Sequence, residues 1–172
     1  MLALPESQPV CVEDVLGLLN SLDLTMVKRK LMDVDEGQGW DQEYVDIVEQ
    51  RYLRYLCMLY LDPNGSVVPT TDIDLFWHQH ILDTRAYARD CQRVFGYFVH
   101  HFPYFGMRGE EDAKDLLSSF EDTKVAYRRL FGEDYCMTVE GADPTNCHKG
   151  PGNCHKCYSG PGPMSCKTCK SK

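Results

Sequence analysis

The sequence predicts an all-α protein, a compact bundle of about five helices with an irregular, Cys-, Gly- and Pro-rich C-terminal tail. Three observations carry that expectation. Apolar residues recur at intervals of three and four along most of residues 12–131, as they do on one face of a helix. Pro and Gly collect between those segments, and the periodicity stops at Gly132. The helical domain is therefore expected over residues 10–135 and the tail over 141–172.

Residues 12–22 carry Val12, Val15, Leu16, Leu18 and Leu19 at helical spacing, and a shorter segment over 25–32 follows before an acidic, glycine-containing loop at 33–39. Residues 41–61 form the longest pattern of the first half, with Tyr44, Ile47, Val48, Tyr52, Tyr55, Leu56, Leu59 and Tyr60 three or four apart. The run Asp62-Pro63-Asn64-Gly65 ends it, because Pro fixes its own φ and Gly tolerates a positive one. After an extended Val67-Val68-Pro69-Thr70, Thr71 is a candidate N-cap with Asp74 three residues on, so one helix is predicted from about 72 to 95, where Gly96 can end it. A loop carrying Pro103 leads to a last helix over 110–131, with Leu116, Leu117, Phe120, Val125, Tyr127 and Leu130 as inward residues.

At 172 residues and 43% hydrophobic, the chain can bury one core of ordinary size and carry an appendage. No run approaches the roughly 18–20 apolar residues of a membrane span, and residues 1–9 lack the basic flank and apolar run of a secretory signal. No membrane association and a cytoplasmic location are the expectations. The formal charge of −8 speaks against a surface given over to polyanions. From Gly141 onward, five Lys stand against the single acid Asp143, so the tail is near +4 and the rest near −12.

Cysteine usage follows the same division. Cys11, Cys57, Cys91 and Cys136 are scattered and read as small buried hydrophobes, whereas five cysteines lie between 147 and 169. Cys154-His-Lys-Cys157 and Cys166-Lys-Thr-Cys169 are two C-x-x-C turns eight residues apart. Each turn lets two thiolates approach one cation, and together they supply the four-sulfur shell that structural zinc prefers. Cys147, His148 and His155 are spare ligands, and the segment beginning at Asn146 is repeated at Asn153 as a second ligand-bearing turn. The competing reading is an irregular tail whose thiols scavenge metal or act in redox chemistry.

The densest chemistry of the helical part is Asp72-Ile-Asp-Leu-Phe-Trp-His-Gln-His-Ile-Leu-Asp-Thr84. On a helix, His78 and His80 lie about 200° apart and should not share a metal. Projection puts His80 on an apolar face with Ile73, Trp77, Thr84, Ala88, Cys91, Phe95 and Phe98, and puts His78 one turn after Asp74, where a carboxylate–imidazole contact is available. A histidine on an apolar face is ordinarily a core residue satisfied by a hydrogen bond. If the following loop returns along the helix, however, His100 or His101 would join Asp74 and His78 in a two-histidine, one-carboxylate set suited to iron or zinc.

Val68-Pro69, the segment 72–84, Tyr87, Asp90-Cys91, Phe95-Gly96 and His100-His101-Phe-Pro-Tyr-Phe-Gly106 together resemble the signature of the glycine-rich domain-containing protein-like family, in a short, bacterial-type form. The resemblance covers roughly residues 41–131. It implies a helical domain with a Trp-His-x-His motif, here Trp77, His78 and His80, and supplies no reaction. Plant relatives are associated with stress responses and carry RNA-binding-like and long glycine-rich regions. The short cysteine-rich tail departs from that pattern, so an RNA-related role does not carry over.

The leading functional expectation is a metal-binding accessory protein, with the helical body facing an unknown protein partner and a zinc-binding tail. The alternative is a mononuclear metal-dependent enzyme centred on Asp74, His78, His80, His100 and His101. A nucleic-acid contact through the basic tail is a third reading, with Tyr158 as its only aromatic platform.

Overall fold

Six helices run through residues 11–136, which the computed structural model describes: α1 (Val12–Leu19), α2 (Thr25–Met32), α3 (Gln42–Leu61), α4 (Thr71–Leu82), α5 (Thr84–Val94) and α6 (Glu110–Phe131). No strand occurs among the described residues, and none of their helices is long and apolar enough to cross a membrane.

The core is built around α3. The Asp41 side chain accepts the Tyr44 N–H at 2.8 Å and caps this helix. Val45, Val48, Tyr52, Leu53, Tyr55, Leu56, Cys57 and Met58 are buried along it, more than one helix face can supply. A helix apolar on several sides is sandwiched between neighbours, and α3 packs against α1, α2 and α4, while α5 packs against α4 and α1. Ile47, expected inward, is 41% exposed, and so are Leu117 and Val125 of α6 to larger extents. Those residues satisfy the periodicity but fall on the solvent side of their helices.

The single helix expected from 72 to 95 is two. Asp83 has φ −80° and ψ 72°, outside the helical region, and its carboxylate accepts the Ala86 N–H at 3.2 Å to start α5 afresh. A short acidic side chain that bonds nearby backbone competes with the helix and favours a cap, which is what happens here. The projected apolar face breaks at the same point: Thr84, Ala88 and Phe98 are exposed, and the buried sets are Ile73, Phe76, Trp77 and His80 on α4 and Tyr87, Asp90, Cys91 and Val94 on α5. Likewise α1 ends at Leu19, and two tight turns, Ser21 N–H to Leu18 and Leu22 N–H to Leu19, carry the chain on. Of the scattered cysteines, Cys57 and Cys91 are buried as expected, but Cys11 is exposed with its thiol on the Glu13 carboxylate.

The far end of the bundle closes on Arg51. This buried guanidinium donates to Asp72, to Thr70 Oγ1 at 3.1 Å and to the Tyr135 carbonyl at 2.8 Å. Tyr135 in turn donates its hydroxyl to the Val68 carbonyl at 3.0 Å, while the Val68 N–H donates to Thr123 Oγ1 at 3.0 Å. The packed unit therefore extends past α6 to Tyr135.

Candidate metal centre

Helix α4 places Asp74 and His78 one turn apart on one side, the i, i+4 geometry of the sequence, with Asp74 Oδ2 3.7 Å from His78 Nδ1. After α5, Gly96 adopts φ +76°, a left-handed conformation that glycine takes without steric cost, and the chain reverses. The returning loop brings His101 alongside α4. His101 Nε2 lies 2.8 Å from Asp74 Oδ1 and 3.2 Å from His78 Nε2, and the two imidazole centroids are 4.5 Å apart.

One ligand atom from each of Asp74, His78 and His101 thus falls within 4.8 Å of the others. Two ligands held 2.1 Å from a metal sit about 3.0 Å apart at a right angle and about 3.4 Å apart at the tetrahedral angle. The contacts His101 makes to the other two residues are of that size. Such a convergence of lone pairs can be held by shared protons or by a cation, and the two compete.

The site opens to solvent on one side. The His78 side chain is 43% exposed, against 18% for Asp74 and 14% for His101. The Trp77 and His101 rings pack against each other with centroids 4.6 Å apart, so His101 has a packed wall behind it, whereas His78 faces solvent. Three protein ligands with an accessible face are the arrangement of metal sites that bind water or substrate, whereas structural sites close their shell with four.

His80 and His100, counted with this cluster on sequence grounds, lie outside it. His80 points to the opposite side of α4 and is buried between Tyr52, 2.9 Å from Nδ1, and Asp90, 3.2 Å from Nε2. Burial pushes its pKa below the ordinary 6.5, partly countered by Asp90. His100 is exposed and rests against Phe98, with ring centroids 5.0 Å apart. The other expected ligands, Cys147, His148, Cys154, His155, Cys157, Cys166 and Cys169, lie outside the described residues. Asp90 went unrecognised as a partner of His80, because ten positions across a helix break give no periodic signal.

The family model described as UCP032817-like matches residues 24–124 of the chain. Two proteins of Arabidopsis thaliana are similar to about half of the chain. Glycine-rich domain-containing protein 1 is 30% identical over 89 residues, which are 49% of this chain and 11% of that protein. Glycine-rich domain-containing protein 2 is 30% identical over 95 residues, 51% of this chain and 12% of that protein. The chain thus spans about a tenth of the length of these curated relatives. No solved structure matches it significantly.

Proposed function

The chain belongs to the UCP032817-like family, and we propose that this member binds a divalent transition metal, zinc or iron, through Asp74, His78 and His101 and uses it in a mononuclear, metal-dependent activity. The observation that carries the reading is the return of His101 onto the Asp74–His78 turn, across 23 residues of sequence, into a set whose ligand atoms lie within 4.8 Å of one another with one open side. Two imidazoles and one carboxylate suit Fe(II) and Zn(II), and three protein ligands leave positions for water or a substrate oxygen. At such a site the metal would polarise a bound oxygen or lower the pKa of bound water.

A second reading rests on a different feature, the two C-x-x-C turns of the tail. In it, Cys154, Cys157, Cys166 and Cys169 hold zinc, with Cys147, His148 and His155 in reserve, and the protein serves as an accessory factor for a protein partner. The exposed side chains of Tyr97, Phe98, Phe102, Tyr104 and Met107 supply a contact surface for such a partner.

Elemental analysis of full-length protein purified without added metal tests both. The expected result is that metal survives replacement of the five tail cysteines by Ser and is lost on replacing His78 and His101 by Ala. Metal retained in the double histidine variant and lost with the tail cysteines would overturn the first reading in favour of the second.

A further inference from the structure

His101 lies two residues beyond Val99, whose backbone carbonyl is held by Tyr87, a buried side chain of α5. Tyr87, on α5, accepts the Trp77 Nε1–H at 2.9 Å and donates its own hydroxyl to the Val99 carbonyl at 2.7 Å. The Val99 backbone also engages the Cys91 thiol, one turn further along α5. The hydroxyl is desolvated, which pushes its pKa up and keeps the proton on oxygen for donation. Trp77, the other end of this relay, is the ring that backs His101.

We infer that Tyr87 is a positioning residue of the metal centre, tying the loop to α4 and α5 at Val99 so that His101 meets Asp74 and His78. The inference rests on reading those three residues as a metal centre. Two residues of extended chain span at most about 7 Å, so fixing the Val99 carbonyl leaves the His101 backbone little freedom. A ligand imidazole that must be found within a few tenths of an ångström depends on such supports, and their loss ordinarily weakens metal binding about 10- to 100-fold. Tyr87 touches no ligand atom itself. It acts through the backbone of Val99 and the ring of Trp77.

The test is a Co(II) titration, followed by d–d absorption, of the full-length chain with Cys147, Cys154, Cys157, Cys166 and Cys169 replaced by Ser. Tyr87→Phe in that background keeps the ring and deletes the hydroxyl, and it should weaken Co(II) binding about 10- to 100-fold and alter the d–d spectrum with the far-ultraviolet circular dichroism unchanged. Tyr52→Phe removes another buried hydroxyl, the one on His80 Nδ1, and should leave both affinity and spectrum as they were. Equal affinity in Tyr87→Phe and its parent, or an equal loss in Tyr52→Phe, would overturn the positioning role while leaving the metal centre standing. A parent that binds no Co(II), or a His101→Ala variant that binds it as tightly, would overturn the metal reading and this inference with it. If Tyr87→Phe fails to fold, Trp77→Phe removes the donor to Tyr87, with part of the indole's packing, and keeps an aromatic ring behind His101. It should weaken binding several-fold, and no change would count against the relay.

Discussion

His80 of α4 and Asp90 of α5 meet across the helix break at Asp83, Nε2 to Oδ2 at 3.2 Å, with side chains only 2% and 5% exposed. The contacts around the ring set its tautomer. Burial holds the Tyr52 hydroxyl protonated, so it donates to His80 Nδ1, which leaves Nε2–H to donate to Asp90. Asp90 also accepts from Arg89 Nε at 3.2 Å, so its buried carboxylate is satisfied from two sides. The histidine expected to be a core residue is one, and its partners make it a neutral hinge pin between α4 and α5.

That neutrality predicts a pH dependence. The pKa of His80 is lowered in the fold, so the unfolded chain takes up its proton first as pH falls. The stability it contributes is complete above the unfolded value of 6.5 and is lost as pH falls from there through the folded pKa. Melting temperature should therefore decline as pH falls below about 6.5, and less steeply in His80→Gln. Parallel pH profiles for the two proteins would exclude His80 as the source.

Trp77 and His78 are adjacent in sequence and opposite in role. Trp77 is 5% exposed, packs on Tyr55 with ring centroids 5.4 Å apart and donates to Tyr87. Trp77→Ala should cost about 3–5 kcal/mol in denaturant unfolding, whereas His78→Ala, at the open edge of the site, should cost far less. Equal losses would mean that His78 has a structural role the geometry does not reveal.

Arg51, buried, and Asp72, partly buried, form an ion pair with side chains 7% and 15% exposed. Burial opposes the charge on Arg51, and Asp72 together with the neighbouring Tyr135, Tyr44 and Tyr127 outweighs that opposition. Asp72→Ala leaves the guanidinium without its counter-charge and should cost about 3–5 kcal/mol. Chemical denaturation gives the number directly, and a loss below about 1 kcal/mol would fit a pair screened by water instead.

On the second reading, the tail variant Cys154→Ser with Cys157→Ser should release tail-bound zinc, and on either reading it should leave the cooperative melt of the helical body unchanged, since residues 11–136 bury their own core. A zinc titration and circular dichroism would check the two halves of that statement separately. Loss of the cooperative transition would show that tail and body fold as one. Truncation is a poorer tool if it stops at Phe131, because that cut removes Tyr135 from its bonds with Arg51 and Val68.

Sequence by itself determined the helical class and most helix positions, because a period of three to four apolar residues survives without knowledge of any neighbour. It also determined that Asp74 and His78 share a side of α4 and that His80 faces away, since those relations follow from 100° per residue within one turn or two. The break at Asp83 was legible in principle as a capping residue, but uninterrupted periodicity on both sides of it masked the signal. Which loop histidine completes the site could not be read at all. His100 and His101 are identical in type and adjacent, and neighbouring side chains on an extended chain point opposite ways. Only the tertiary structure chose, turning the chain at Gly96, anchoring Val99 on Tyr87, and so directing His101 to Asp74 and His100 to the surface beside Phe98. Contacts over a few residues are fixed by local geometry, whereas contacts over tens of residues are fixed by the packing that brings distant segments together.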